Sequence, residues 1–271
     1  MAYAPGAVAC PVPGFREVFE AVSDGDAPDG PFAAGMLPIE NLVNGTVREV
    51  YDLLLEHELG IVGEVIVPVR LCLAALTGES LVSIERVYSH IQALGQAEVF
   101  LRSRPWSLLT TYNTAGSGRM IAERGERGAA AVLSPRAAAL FGLDVLVDDI
   151  QTEPRNRTRF VVVSRPGERP VDSAASPTDS AARRTTLAMT VENRPGALYA
   201  CLGVLKAHGV NMDKLESRPS RQRAWEYVFW IDTDADLREP SVQAAFDELA
   251  RTASTLRILG SYPKAQEPAL A

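Results

Sequence analysis

Between Arg165 and Arg184 the chain carries almost no large apolar side chain and is rich in Pro, Ser, Ala and Asp. Such a stretch buries too little to offset the entropy of ordering it, so it reads as a linker. It constrains the fold more than any other feature. It separates a domain over residues 1–165 from a smaller one over 185–264, with 166–184 as the connection. A chain of 271 residues is long enough for both.

The formal net charge of −7 argues against a nucleic-acid partner, which calls for a basic face. An acidic chain still holds an anion where the site is locally positive. Cys10, Cys72 and Cys201 are far apart and odd in number, so they form no disulfide framework. His57, His90 and His208 stand at no metal-ligand spacing, and no metal or cofactor is expected. The first residues lack the basic start and apolar run of a signal peptide. The longest apolar stretch, 61–76, is broken by Glu64, Pro68 and Arg70 and cannot span a bilayer. The expectation is a soluble, cytoplasmic protein with no membrane partner.

The smaller domain has a regular order. Thr185–Val191 is a β-rich run, and Pro195 opens a helix on which Leu198, Leu202 and Leu205 recur at helical spacing. Gly209 caps that helix. Strands follow over 210–216 and 225–231 around a turn at 219–223, then a helix over 242–249 and a strand over 256–262. This βαββαβ order predicts a two-layer α/β sandwich.

The larger domain is also α/β. Met36–Ile39 is a strand ending in Glu40-Asn41, and Asn44-Gly45 is a turn. Thr46 to Glu49 and Ser89 to Gln92 read as capping boxes, the second opening one helix towards Arg102. Asn113–Gly118 opens a third helix. Ala129–Leu133 is a strand and Arg136–Phe141 a helix.

Residues 156–160 read Asn-Arg-Thr-Arg-Phe at the mouth of the Val161-Val162-Val163 strand. A threonine between two arginines is a weak proton donor in a positive field, which suits an anionic substrate whose leaving group needs a proton. In a strand, Arg155, Arg157 and Arg159 point one way and Asn156 and Thr158 the other. A solvated basic edge strand with a structural threonine fits the same letters. The turns at 41–46, 89–92 and 113–117 each precede a helix start, where unpaired N–H groups and a partial positive charge receive carboxylates. At the carboxyl ends of strands they would face one cleft. They fit plain N-caps equally, worth about 1 kcal/mol each.

Taken together, these segments resemble the prephenate dehydratase family. The resemblance rests on Pro38-Ile39-Glu40-Asn41, Gly45, Tyr51-Asp52-Leu53-Leu54 and Ile61-Val62-Gly63-Glu64. Further along it rests on Ser89-His90-Ile91-Gln92 with Gln96, on Asn113-Thr114-Ala115 and on Asn156 to Phe160. After the linker, Asn193 to Leu198 and Glu216-Ser217-Arg218-Pro219 look like the two phenylalanine-binding motifs of an attached ACT domain. The resemblance implies a two-lobed, periplasmic-binding-protein-like catalytic domain with a cleft, followed by a βαββαβ ACT domain. It implies loss of CO2 and the ring hydroxyl from prephenate to give phenylpyruvate, with no cofactor because aromatisation drives the reaction.

In that scheme Thr158 is the general acid and Arg159 tunes it, while Asn41 and Gln96 orient the substrate. Glu40, Ser89, Thr114, Ala115, Asn156 and Phe160 line the cleft. His90 belongs to a structural turn. Gly196, Ala197, Leu198, Asn211, Glu216, Ser217, Arg218 and Pro219 bind phenylalanine as a feedback effector, shared between paired ACT domains of a homodimer or homotetramer.

The sequence departs from the family pattern at its front. Residues 3–7 run almost directly to Pro11–Phe15, where the family has a Gly-rich turn with a serine and then a helix. The expectation is a shortened catalytic domain lacking part of one cleft wall. Leu42 stands where a hydroxyl residue is usual, and Ile91 where proline is. These departures leave open arogenate dehydration, non-aromatising chemistry on prephenate, or a catalytically weak phenylalanine-binding regulator.

Overall fold

Short apolar runs, many of them closed by Gly, Pro, Asn or Ser, give this chain short strands and short helices. The computed structural model describes residues 7–23, 32–168, 182–220 and 225–267. Residues 3–6, most of the expected linker and the tip of the turn expected at 219–223 lie outside the described residues.

In chain order the elements begin with α1 (Phe15–Ser23), β1 (Gly35–Asn41), β2 (Gly45–Thr46), α2 (Arg48–Glu56) and β3 (Gly60–Pro68). There follow β4 (Cys72–Ala75), β5 (Arg86–Ser89), α3 (Ile91–Gln96), α4 (Glu98–Arg102) and β6 (Ser107–Thr110). Next come α5 (Thr114–Arg124), β7 (Ala129–Leu133), α6 (Pro135–Leu140), β8 (Asp144–Val147) and β9 (Arg157–Ser164). The last segment is β10 (Arg183–Thr190), α7 (Ala197–Ala207), β11 (Met212–Pro219), β12 (Tyr227–Thr233), α8 (Pro240–Thr252) and β13 (Thr255–Pro263), the expected βαββαβ order.

Two compact units result. One comprises residues 1–40, 46–66 and 159–267, and the other is built chiefly from 41–45 and 67–158. The first unit therefore joins the C-terminal segment to the sheet β2-β1-β9-β3.

Within that unit the C-terminal sheet, ordered β11-β12-β10-β13, is covered on both faces. On one face Leu187 and Met189 pack with Cys201, Leu205, Phe246 and Leu249 of α7 and α8. On the other, Ala188, Trp230 and Tyr262 join Leu37, Ile39, Val161 and Val163. The sequence reading of two layers is thus extended by a third. The interior of β10 is buried throughout: Leu187, Ala188 and Met189 are apolar, while the buried Arg184, Thr185 and Thr186 are each hydrogen-bonded. Trp230 stands edge-on to Tyr51, with centroids 4.4 Å apart and planes at 78°. Close approach also demands Gly260, because a Cβ there would lie 2.0 Å from the Ile61 carbonyl oxygen.

The second unit holds a five-stranded sheet ordered β6-β5-β7-β4-β8. β5 runs parallel to β6 and β7, while β4 is antiparallel to β7 and β8. β7 is buried on both faces: Ala130 and Val132 pack with Leu94, Leu101 and Trp106, and Ala129, Ala131 and Leu133 with Ile121 and Leu143. Among the described residues no helix is long and apolar enough to cross a membrane.

Both capping-box expectations need correction. α2 begins after Val47 with no side-chain cap, because the Thr46 hydroxyl donates instead to Glu216 Oε2 at 2.5 Å. The cap of α3 is His90, whose Nδ1 accepts from Gln92 N, while Ser89 donates to the Val132 carbonyl at 2.6 Å. The single helix expected towards Arg102 is two, broken at Ala97, whose φ of −106° and ψ of 18° leave the helical range.

Candidate active site and effector cavity

β1 ends on Asn41, and the turn after it fixes that side chain. Asn41 Oδ1 accepts from Val43 N at 3.0 Å and Asn44 N at 2.9 Å. The amide orientation follows from these partners. Nδ2 then faces Asn156 Oδ1 at 2.9 Å, Thr158 Oγ1 at 3.0 Å and the Arg157 carbonyl at 3.1 Å. Since Thr158 Oγ1 accepts a hydrogen bond from an amide that can only donate, its own O–H proton is left to donate elsewhere.

Asn156 is 2% exposed, and its Nδ2 meets no protein acceptor. An unmet buried donor costs about 1–3 kcal/mol, so an atom of this kind is spare hydrogen-bonding capacity for a water or ligand. The expected trio Asn41, Asn156 and Thr158 is therefore one bonded cluster. Phe160, on the same strand, is half-buried.

Three parallel strands of the second unit, β6, β5 and β7, end side by side, each leading to a helix start. His90 caps α3, Asn113 caps α5 by accepting from Gly116 N at 2.9 Å, and Ser134 caps α6. This edge of the sheet gathers helix N-termini, the geometry that favours anions. Thr114 opens α5, and Ala115 packs against the core beneath it. Ser89 is fully buried with its hydroxyl engaged on Val132. Gln96 ends α3, and its carbonyl accepts from Thr152 N at 2.7 Å. Sequence reasoning missed the Thr111–Ser117 hydroxyl pair at 2.6 Å, whose only signal was its place beside Asn113. Leu42 is 63% exposed.

Strand alternation sends Arg159 to the face opposite Thr158. Its guanidinium donates to Asp232 at 2.7 Å, Glu40 at 3.0 Å and Glu64 at 3.3 Å. Nε, also buried, meets no protein acceptor. Burial works against this charge, but Asp232 first and then other neighbours, Glu64 among them, more than offset it, so the guanidinium is held above its ordinary range. Glu64 also accepts from Arg184 at 2.6 Å and from Ala265 N at 2.9 Å. Burial pushes the Tyr51 and Tyr262 hydroxyls well above the usual phenol range.

The inward row of β11 continues these charges. Lys214 Nζ reaches Tyr51 OH at 2.8 Å and the second Glu40 oxygen at 3.1 Å. Glu216 holds Thr46, while Arg218 pairs with Asp52 at 3.1 Å and donates to the Arg48 carbonyl. Ser217 and Pro219 face outwards, and the Asn211 carbonyl accepts from Asp234 N.

The other expected effector residues lie in a different place. Gly196, Ala197 and Leu198 line a cavity of about 310 Å³ with Tyr199, Trp225 and Phe229. Gly196, at φ +83°, sits where a side chain would be strained, and α7 begins immediately after it. Glu192 and Arg194, paired at 2.6 Å, are on the cavity's polar rim.

Comparison with known proteins adds independent findings. The family model described as prephenate dehydratase matches residues 1–168, and that of the ACT domain matches 185–251. A bifunctional chorismate mutase/prephenate dehydratase of Aquifex aeolicus is 36% identical, over 85% of this chain and 61% of its own length. The arogenate dehydratase/prephenate dehydratase 2 of Arabidopsis thaliana is 35% identical, over 96% of this chain and 67% of its own length. This chain thus spans about two thirds of these relatives. The solved prephenate dehydratase of Arthrobacter aurescens in complex with L-Phe is 32% identical, with TM-score 0.81 over 99% of this chain and 87% of that one. GqqA, described as a novel type of quorum-quenching acylase, is 34% identical, with TM-score 0.81 over 96% of this chain and 90% of that one.

Proposed function

The chain belongs to the prephenate dehydratase family and carries an ACT domain after its catalytic region, and from that premise we propose that it converts prephenate to phenylpyruvate. One observation carries the reading: Thr158 Oγ1 accepts from Asn41 Nδ2 at 3.0 Å, which leaves the threonine proton free to be given away.

The reaction needs such a donor. As the C–C bond to the ring carboxylate breaks, its electron pair moves into the ring and expels the hydroxyl across it, completing the aromatic system. CO2 departs, and the leaving oxygen takes a proton from Thr158. The threonine oxygen regains its proton from solvent, so the sum is prephenate plus one proton giving phenylpyruvate, CO2 and water. A threonine hydroxyl is a poor acid. Its value lies in a hydrogen bond that strengthens as negative charge grows on the leaving oxygen. The unmet Asn156 donor supports the same reading, and Gln96, Ser89, Thr114, Ala115 and Phe160 remain candidates for the substrate's surroundings.

The ACT domain would bind L-phenylalanine. The aromatic cavity beside Gly196, Ala197 and Leu198 suits a phenyl side chain, and the first N–H groups of α7 suit a carboxylate. β11 is an edge strand, so two copies can extend one sheet through it, in keeping with a homodimer or homotetramer.

The test is product analysis of purified protein given prephenate and, separately, arogenate, which the Arabidopsis relative's name pairs with it. Phenylpyruvate from prephenate, seen by its absorbance in alkali, is the expected result. Folded protein that turns over neither compound at high enzyme concentration sinks the reading. Titration calorimetry with L-phenylalanine should give saturable heat; no heat would remove the effector.

A further inference from the structure

We propose that Lys214 of the ACT domain is a positioning residue for the Asn41–Thr158 pair, acting through Glu40 and Arg159. The strands β1 and β9 carry the two kinds of residue in adjacent positions. Glu40 precedes Asn41, and Arg159 follows Thr158. Asn41 and Thr158 are joined by a neutral hydrogen bond. Glu40 and Arg159 are joined by an ion pair at 3.0 Å.

That ion pair is held from the ACT domain at both ends. Lys214 takes the second Glu40 oxygen at 3.1 Å, and Asp232 takes Arg159 at 2.7 Å. Lys214 is itself fixed by Tyr51 OH at 2.8 Å and stands 5.1 Å from that ring's centroid. Glu216 stands 3.4 Å from Lys214 on the same inward row of β11. Anchoring the Glu40 side chain restrains the last peptide of β1. The Asn41 amide therefore stays on its two turn N–H groups and on Thr158. Glu40 and Arg159, counted in sequence among substrate-lining and catalytic residues, hold the reacting pair by their backbones and spend their charges on each other, on Glu64 and on the ACT domain.

The catalytic part of this inference rests on the dehydratase reading; the mechanical part does not. Two readouts on the full chain separate them. The amides of Leu42, Val43 and Asn44 report directly on the turn, since the first donates to the Arg157 carbonyl and the others to Asn41 Oδ1. Hydrogen exchange at these three should accelerate about 10-fold or more in Lys214→Met. It should return towards the wild-type rate in Lys214→Arg. Arg257→Met serves as control. Arg257 clamps the ACT domain to the Leu55 and His57 carbonyls without touching Glu40, so its loss should leave the three amides within about 2-fold.

In steady-state turnover, Lys214→Met should lower kcat by about 10- to 100-fold with KM for prephenate little changed, as expected of misplaced rather than missing catalytic groups. Lys214→Gln replaces Lys214→Met if the latter does not fold. Unchanged exchange at residues 42–44, or equal acceleration in Arg257→Met, overturns the positioning role. Wild-type protein inactive on prephenate overturns the dehydratase reading alone, and the exchange rates still decide the positioning role.

Discussion

Residues 41 and 158 and residues 40 and 159 are chain neighbours, yet they do opposite work. Asn41, Asn156 and Thr158 form a neutral cluster with capacity left over: a threonine proton still to be given and an amide donor with no protein acceptor. Arg159 forms a charged cluster with Glu40, Glu64 and Asp232, in which Lys214 also takes Glu40 and Arg184 also takes Glu64. A group that acts on a substrate must have a bond to spare. A group that holds a structure must not. Strand alternation is what allows two adjacent residues to differ so sharply.

The largest expected effect lies on the charged side. Arg159→Met leaves Asp232 buried with its charge uncompensated, and should destabilise the fold by about 3 to 5 kcal/mol, as read by denaturant unfolding. The double variant Arg159→Met with Asp232→Asn should recover part of that loss, since it removes both charges. No recovery would place the loss in the Glu40 and Glu64 contacts or in packing rather than in the Asp232 pair.

A smaller effect is expected at the rim of the same network. Asp213 is partly buried, and that burial opposes its charge, but Lys264 and Arg184 outweigh it and hold its carboxyl at about 2. A carboxyl depressed in the folded state contributes stability that is full above its ordinary pKa, near 4, and is lost as pH falls through about 2. Asp213→Asn should therefore remove about 1 to 2 kcal/mol at neutral pH and flatten the stability profile between pH 4 and 2. An unaltered acid limb would place the acid sensitivity elsewhere. The smallest effect is expected at Arg70–Asp149. That pair makes two good hydrogen bonds, at 2.9 and 3.0 Å, but is half exposed. Arg70→Ala should leave the melting midpoint unchanged within error.

The sequence was a good guide wherever the decisive partners are local. The βαββαβ order, the strand 129–133 and the Asn113 start of α5 follow from apolar periodicity and turn residues within a few positions. The alternation that separates Thr158 from Arg159 was also readable. The two capping boxes were not, although their letters are right. Thr46 found Glu216, 170 residues away, and Ser89 found the Val132 carbonyl on a neighbouring strand. A distant partner with better geometry defeats a local motif. The carboxylate partners of Arg159 were hidden for the same reason, because Glu64, Asp232 and Glu40 lie 95, 73 and 119 residues from it. The contacts of Glu216 with Thr46 and of Arg218 with Asp52 and Arg48 depend on facing β2 and α2, which no spacing within 216–219 could indicate.

The most direct test of the account is the pair Thr158→Val and Thr158→Ser, assayed for phenylpyruvate formation. Valine keeps the shape of threonine and removes the proton; serine keeps the proton and removes a methyl group. Thr158→Val is expected to lower kcat at least about 100-fold, with an unfolding midpoint close to wild type, while Thr158→Ser stays within about 10-fold of wild type. Thr158→Val that turns over prephenate within a few-fold of the wild-type rate would contradict the assignment of Thr158 as proton donor.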